Sequence, residues 1–143
     1  MGEGAQDEDG QGGDTALDAA FDVLIAADCT YDTDAHAALA ATIARLLRPA
    51  GRAFLIAPRR GASLDRFCAA LGGHALLRWH IDPRFSPAIW LHHEERLAAA
   101  QAGSHDAADA AWAYDPDKHC PVLLTVTKAA DNDGGGGGGA VHT

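Results

Sequence analysis

Residues 21–28 read Phe-Asp-Val-Leu-Ile-Ala-Ala-Asp, a short and nearly continuous apolar run that ends on an acid. A run of this length, followed by polar residues, is typical of a strand buried on both faces of a parallel sheet. The polar residues after it predict a loop, and then a helix capped by Thr33 or Asp34. Apolar residues recur at helical spacing up to Leu47, and Pro49-Ala50-Gly51 is expected to end this helix.

The rest of the folded part continues the same alternation. We expect strands at 53–57, 75–81 and 121–127, a helix from Ser63 to Gly72-Gly73, and a less regular helix over 86–101. Strands that alternate with helices predict a layered α/β sheet. Ligands of such sheets bind at the carboxyl ends of the strands, which directs attention to residues 28–34 and 58–61.

Charge and composition divide the chain into three parts. Residues 1–18 hold six acids and no base, and 131–143 contain an unbroken glycine run, so both ends are predicted to be disordered. The net charge of −9 comes mostly from these ends, because residues 19–128 hold twelve acids against eleven Lys and Arg. The single folded segment, 19–130, is therefore nearly neutral and has no basic stripe, which argues against nucleic acid as a partner.

The sequence also bears on location. No apolar run approaches the roughly 20 residues of a membrane span, and the acidic start does not resemble a signal peptide. Cys29, Cys68 and Cys120 stand far apart and show no paired spacing. We therefore expect reduced thiols and a cytosolic or nuclear protein that does not bind membranes.

Three stretches carry a resemblance to one family. Asp28-Cys29-Thr30-Tyr31 is an Asp-x-x-Tyr motif directly after a hydrophobic strand, and Ala57-Pro58-Arg59-Arg60-Gly61 follows the next strand. The third stretch, 119–128, contains the last predicted strand. Together they resemble the seven-stranded S-adenosylmethionine-dependent protein-lysine methyltransferases, and the second stretch points to the calmodulin-lysine methyltransferase branch. The resemblance covers about residues 21–82 and 119–128.

The resemblance implies a fold, a cofactor and a substrate. The fold would be the C-terminal half of a Rossmann-like seven-stranded methyltransferase sheet with helices on both faces. The cofactor would be S-adenosylmethionine, contacted by Ala27 and Asp28, and the catalytic residues would be Asp28 and Tyr31. Arg59 and Arg60 would bind a protein substrate such as calmodulin.

The family's glycine-rich cofactor turn and the acidic residue after its second strand have no counterpart that we can identify in the sequence. We therefore expect the chain to correspond to the C-terminal half alone, and to be inactive by itself. The alternative is a non-catalytic remnant of the same fold that binds a partner.

Each candidate residue also has a structural interpretation. Asp28 could be a loop or capping acid, and the two arginines could be the exposed start of a helix. Trp79, Trp90 and Trp112 are expected to be packing residues rather than a ligand cage. The run from His92 to Glu95 predicts no metal site, because adjacent helical side chains point about 100° apart and no His-Glu-x-x-His spacing occurs.

Overall fold

A computed structural model describes residues 15–102 and 113–130. Four strands and four helices follow a short 3-10 turn at Thr15–Leu17. In chain order they are β1 Phe21–Ala27, α1 His36–Leu46, β2 Leu47–Pro58, α2 Ser63–Gly72, β3 Leu77–Asp82, α3 Pro87–Gln101, α4 Pro116–His119 and β4 Pro121–Lys128, with a second 3-10 turn, Thr33–Ala35, before α1. Most of the segments predicted to be disordered, 1–14 and 131–143, lie outside the described residues, as do residues 103–112.

The four strands form one sheet in the order β1-β2-β4-β3. β1 and β2 are parallel and are joined through α1, whereas β4 runs antiparallel to both β2 and β3. The mixed α/β class predicted from the sequence is confirmed. The arrangement is consistent with a partial Rossmann-like methyltransferase fold, in which parallel strands are linked by crossover helices.

The core lies between the sheet and the two helices α1 and α2. Phe67 and Leu71 of α2 are fully buried and share one apolar cluster with Ile43 of α1, Leu55 of β2 and Leu124 of β4. The helical spacing of the apolar residues in α2 explains its placement, because positions 64, 67, 68 and 71 fall on one face. Both helices therefore cover the same face of the sheet.

The opposite face of the sheet carries exposed apolar side chains. Ile25 is 80% exposed, Val23 is 50% exposed and Ile56 is 37% exposed. Ile25 pairs with Phe54, and Ile56 pairs with Leu123, so these residues form one apolar surface across three strands. The prediction that β1 is buried on both faces is wrong for the described residues, because β1 is an edge strand and only one of its faces meets a helix.

The junction between α1 and β2 also differs from the prediction. Pro49-Ala50-Gly51 belongs to β2 rather than to the end of a helix, since α1 ends at Leu46 and the strand begins at once. Ala50 has a φ of +63°, and the β1–β2 register shifts between Phe21 and Val23. An added Cβ at Gly51 would lie 2.8 Å from the Arg48 carbonyl oxygen and 3.1 Å from that of Phe21, so this close approach requires glycine.

The helix predicted over 86–101 is confirmed as α3. Ser86 caps it by accepting a hydrogen bond from the Ile89 N–H, and Pro87 occupies the first turn, where a missing N–H costs nothing. None of its residues is fully buried. Over the described part of the chain, no helix combines the length and apolar character that crossing a membrane requires.

Candidate active site

The parallel pairing of β1 and β2 brings two predicted loops together at one edge of the sheet. Ala27, the last residue of β1, lies opposite Ile56, and the Asp28 N–H donates to the Ile56 carbonyl at 2.8 Å. Residues 28–34 leave the end of β1, and residues 59–62 leave the end of β2. The motif residues that are far apart in the sequence therefore share one site.

Asp28 and Arg60 form an ion pair across this edge, in which one guanidinium nitrogen contacts both carboxylate oxygens. The Arg60 Nη2 atom donates to Asp28 Oδ1 at 3.1 Å and to Oδ2 at 3.0 Å. Both residues adopt the left-handed backbone region, with φ of +48° at Asp28 and +49° at Arg60; aspartate tolerates this region, whereas it is unfavourable for arginine. The sequence assigned these two residues to separate roles, and the structure joins them.

A second acid holds the backbone of the Arg60 loop. Asp117 of α4 accepts from the Arg60 N–H through its carbonyl at 2.8 Å, and its carboxylate Oδ2 accepts from the Gly61 N–H. Gly61 also has a positive φ of +65°, which glycine adopts without steric cost. Sequence reasoning missed Asp117, because its partners lie 56 residues away in the chain.

The loop after β1 is anchored by the buried carbonyl group of Thr30. His36 Nε2 donates to this oxygen at 2.9 Å, and the Ser63 hydroxyl donates to it as well. Thr30 is 1% exposed and His36 is 5% exposed, and the His36 ring packs edge-on against Phe67. Two helices thus fix the loop that carries Asp28 and Tyr31. The sequence indicated only that His36 and Ser63 stand near helix starts, and not that both donate to the Thr30 carbonyl.

Asp32, rather than Thr33 or Asp34, caps the turn that leads into α1. Its side chain accepts from the Asp34 N–H at 3.1 Å, and α1 itself begins at His36. The helix start is therefore displaced by two or three residues from the prediction, because a 3-10 turn occupies the predicted first turn.

Tyr31 is exposed to solvent, whereas Cys29 is partly buried. The Tyr31 ring is 65% exposed, so its face is available to a ligand. Burial raises the pKa of the Cys29 thiol, its own backbone hydrogen bond opposes this, and the nearby Asp28 charge raises the pKa further. Cys29 therefore lacks the lowered pKa of an activated nucleophile.

Arg59 pairs with a different acid from Arg60. Its Nη1 atom lies 3.5 Å from Asp65 Oδ1 of α2, and both side chains are largely solvent-exposed. Arg59 also lines a cavity of about 310 Å³ together with Trp90, His93 and Asp117. The two arginines predicted to bind substrate thus face two different parts of this edge.

The residues present fit an amine ligand at Asp28. A carboxylate offers about four acceptor positions, and the two bonds from Arg60 leave part of this capacity free. The Asp28 side chain is 55% exposed, so an amino group of a cofactor or of a substrate lysine has access to it. Ala27, at the end of β1, is exposed beside it.

The remaining candidates lie elsewhere. Trp79 contacts Gly72, and Trp90 lies under Arg84 at 4.2 Å while its Nε1 donates to Glu94. Trp112 lies outside the described residues. Within 15–102 and 113–130, no group of three or more His, Cys, Asp or Glu side chains is placed to hold a metal ion.

Comparison with known proteins agrees with this geometry. Residues 11–72 match the family described as lysine methyltransferase. The chain is 32% identical over 113 residues to a calmodulin-lysine N-methyltransferase of Arabidopsis thaliana, an alignment that covers 75% of this chain and 33% of that protein. The chain therefore spans about a third of the length of this relative. The family match contains both loops of the candidate site, so the resemblance predicted from the sequence is confirmed.

Proposed function

We propose that this chain carries the substrate side of an S-adenosylmethionine-dependent protein-lysine N-methyltransferase that modifies calmodulin or a protein like it. The observation that carries the proposal is the convergence of residues 28–31 and 59–61 at the carboxyl ends of adjacent parallel strands. Both loops lie inside the segment that matches the family, and the named relative supports calmodulin as the substrate. A cytosolic or nuclear location is part of the same proposal and agrees with the three free cysteines of the described residues.

Lysine methylation requires a neutral, aligned amine. When bound, S-adenosylmethionine would supply the methyl group, carried on a positively charged sulfur that acts as the leaving group for attack by the lysine nitrogen. Most of the rate of such a displacement comes from positioning and from exclusion of water. The side chains of the site therefore need to orient the amine rather than transform it chemically.

Asp28 is suited to orient that amine. Its carboxylate can accept an N–H of the incoming lysine while Arg60 occupies its other acceptor positions. Arg60 also neutralises the Asp28 charge. A neutralised carboxylate stabilises an ammonium less than a free one, which favours the neutral, nucleophilic form of the lysine.

Tyr31 can contribute through its exposed ring. An aromatic face attracts a cationic centre and stacks against the methylene groups of a lysine stem. Because the ring is 65% exposed, this contribution is expected to be modest, about 1 kcal/mol. A Tyr31→Phe variant should keep most of the effect, whereas Tyr31→Ala should lose it.

The test has a binding step and a transfer step. Calorimetric titration of the purified 143-residue chain with S-adenosylhomocysteine measures cofactor affinity, and transfer of a radiolabelled methyl group to calmodulin measures activity. When it is introduced into a form of the protein that transfers methyl groups, Asp28→Asn should lower the rate of methyl transfer by about a hundredfold. Asp18→Asn, which alters a remote ion pair with Arg45, is the matched control and should leave the rate unchanged. An active Asp28→Asn variant would contradict the role of Asp28.

A second candidate function is a non-catalytic module that binds a protein partner. The exposed apolar face around Ile25 favours it, together with the edge of β1 that no strand of the described residues pairs with, because such an edge can accept a strand from another chain. A folded chain that neither binds S-adenosylhomocysteine nor methylates calmodulin would favour this candidate.

A further inference from the structure

A cavity beside the candidate site has no assigned role. It has a volume of about 720 Å³ and lies between α3, α4 and the start of β4. Arg96, His93 and His119 supply its polar lining, and Ile89 and Pro121 belong to its apolar wall. Sequence reasoning considered the neighbouring histidines only as metal ligands.

The hydrogen bonds of this cavity orient its donors. The Asp115 N–H donates to His119 Nδ1 at 2.9 Å, so a neutral His119 ring carries its proton on Nε2. His93 Nδ1 lies 2.6 Å from the Tyr114 hydroxyl. Burial raises the pKa of Tyr114, and the neighbouring Cys120 raises it further, so the phenol is a neutral hydrogen-bonding group.

The charge of the lining is one-sided. Arg96 lies over the Tyr114 ring at 5.8 Å, and no carboxylate of the described residues pairs with its guanidinium. The described lining includes no Asp or Glu side chain. A guanidinium and imidazole donors beside apolar walls suit a carboxylate attached to an apolar chain, since Arg binds carboxylates in a bidentate manner.

The cavity continues toward the candidate active site. A smaller cavity of about 310 Å³ shares His93 and Cys120 with it and extends to Arg59, next to the Asp28–Arg60 pair. An extended polypeptide can occupy such a row of subsites, whereas a compact small molecule fills one of them. This continuity favours a protein segment as the ligand.

We propose that the cavity between α3 and α4 binds an acidic side chain within a protein segment, with Arg96 and His119 as the recognising groups. The inference rests on the proposed function for the identity of the segment, which would belong to the methylated protein. Binding of the segment itself does not depend on methyl transfer. Arg96 and His119 would thus be specificity-determining residues for an acidic substrate.

A binding experiment tests this directly. A fluorescein-labelled peptide of alternating glutamate, leucine and glycine is titrated with the 143-residue chain, and its anisotropy is measured beside that of a peptide with glutamine in place of every glutamate. We expect the glutamate peptide to bind at least about tenfold more tightly, because a carboxylate accepts stronger, charge-assisted hydrogen bonds than an amide does. Free glutamate at the same concentration should not compete.

Variants assign the binding to the cavity. Arg96→Gln should weaken binding of the glutamate peptide by about tenfold, and His119→Gln should weaken it by about threefold. Arg66→Gln is the matched control, because it removes the same charge from an exposed residue of α2, and it should change the affinity less than twofold. Arg96 and His119 are exposed, so both variants should keep the circular dichroism spectrum and melting temperature of the parent.

Several outcomes would overturn the proposal. They are absence of peptide binding, equal binding of the glutamine peptide, competition by free glutamate, or an equal loss in Arg66→Gln and Arg96→Gln. Peptide binding without cofactor binding or methyl transfer would refute the proposed function alone. Methyl transfer that is indifferent to Arg96→Gln, with no peptide binding, would refute the cavity assignment alone.

Discussion

The Thr30 carbonyl offers a quantitative test of how the candidate site is held. Two donors from different helices, His36 and Ser63, share this buried oxygen. Ser63→Ala removes one donor with little change in volume. His36→Phe removes the other and keeps a ring against Phe67, which the histidine contacts edge-on at 5.5 Å between ring centroids. The double variant leaves the carbonyl without either partner.

The structure gives the expected magnitudes. Each single variant leaves Thr30 with one hydrogen bond, so each should lower the free energy of unfolding by about 1 kcal/mol. The double variant leaves a carbonyl group that is 1% exposed without a side-chain donor. An unsatisfied buried acceptor costs about 1 to 3 kcal/mol, so the double variant should lose about 3 to 5 kcal/mol in total. The two variants are therefore expected to be coupled by at least about 1 kcal/mol.

Urea denaturation of the four proteins, followed by circular dichroism, measures this coupling. Thr42→Val is the control, because it removes an exposed helix hydrogen bond to Ala38, and it should change the stability by less than about 0.5 kcal/mol. Additivity of the two variants within about 0.4 kcal/mol would refute the reasoning, since it would mean that the oxygen does not depend on these two donors.

Three further predictions follow from other parts of the structure. The chain should self-associate through its apolar sheet face, which sedimentation measures, and Ile25→Lys should shift the chain toward monomer. The control variant Leu91→Lys, on α3, should leave the self-association unchanged. A parent chain that sediments as a monomer would contradict this prediction. Lys128→Met removes two hydrogen bonds to the end of α1, of 2.7 and 2.8 Å. It should lower the free energy of unfolding, measured by urea denaturation, by about 2 kcal/mol, whereas the control Lys118→Met should lower it by less than about 0.5 kcal/mol. Burial raises the pKa of Cys68 to about 11 from 9.0, so the unfolded thiol ionises first and stability should fall by about 2 kcal/mol as pH rises from 9.0 to about 11. The Cys68→Ala variant should lose less stability than the parent over the same pH range, as measured by urea denaturation. An equal loss of stability would contradict the assignment of this pH dependence to Cys68.

Element types were predictable wherever local pattern is strong. The apolar run of β1, the helical spacing of α2 and the apolar alternation of β4 each follow from their own residues, and the structure confirms all three. The helix α3 was predicted despite Pro87, whose position after Ser86 turned out to favour the first turn. The start of β2 was not predicted, because Pro49 and Gly51 are typical of a helix end when only the sequence is considered. They form a bulge in β2 because β1 lies against them.

The candidate site was predictable in part. Asp28, Tyr31, Arg59 and Arg60 were chosen because their motifs follow strands, and the parallel pairing brings the two loops together. The sequence could not show that Arg60 binds Asp28, or that Asp117 holds the Arg60 backbone. The partners in the first contact are separated by 32 positions in the chain, and those in the second by 57. No periodic sequence pattern indicates contacts at such separations.

The α/β class, the order of elements and the resemblance to a family could all be predicted from the sequence alone, because they depend on local periodicity and on motifs of a few residues. The sequence could not show which face of the sheet is covered, which donors hold the Thr30 carbonyl, or that His93 and His119 line one cavity with Arg96. Such features are set by the packing of elements distant in the chain. Burial and charge pairing depend on three-dimensional neighbours, and those neighbours exist only once the chain has folded.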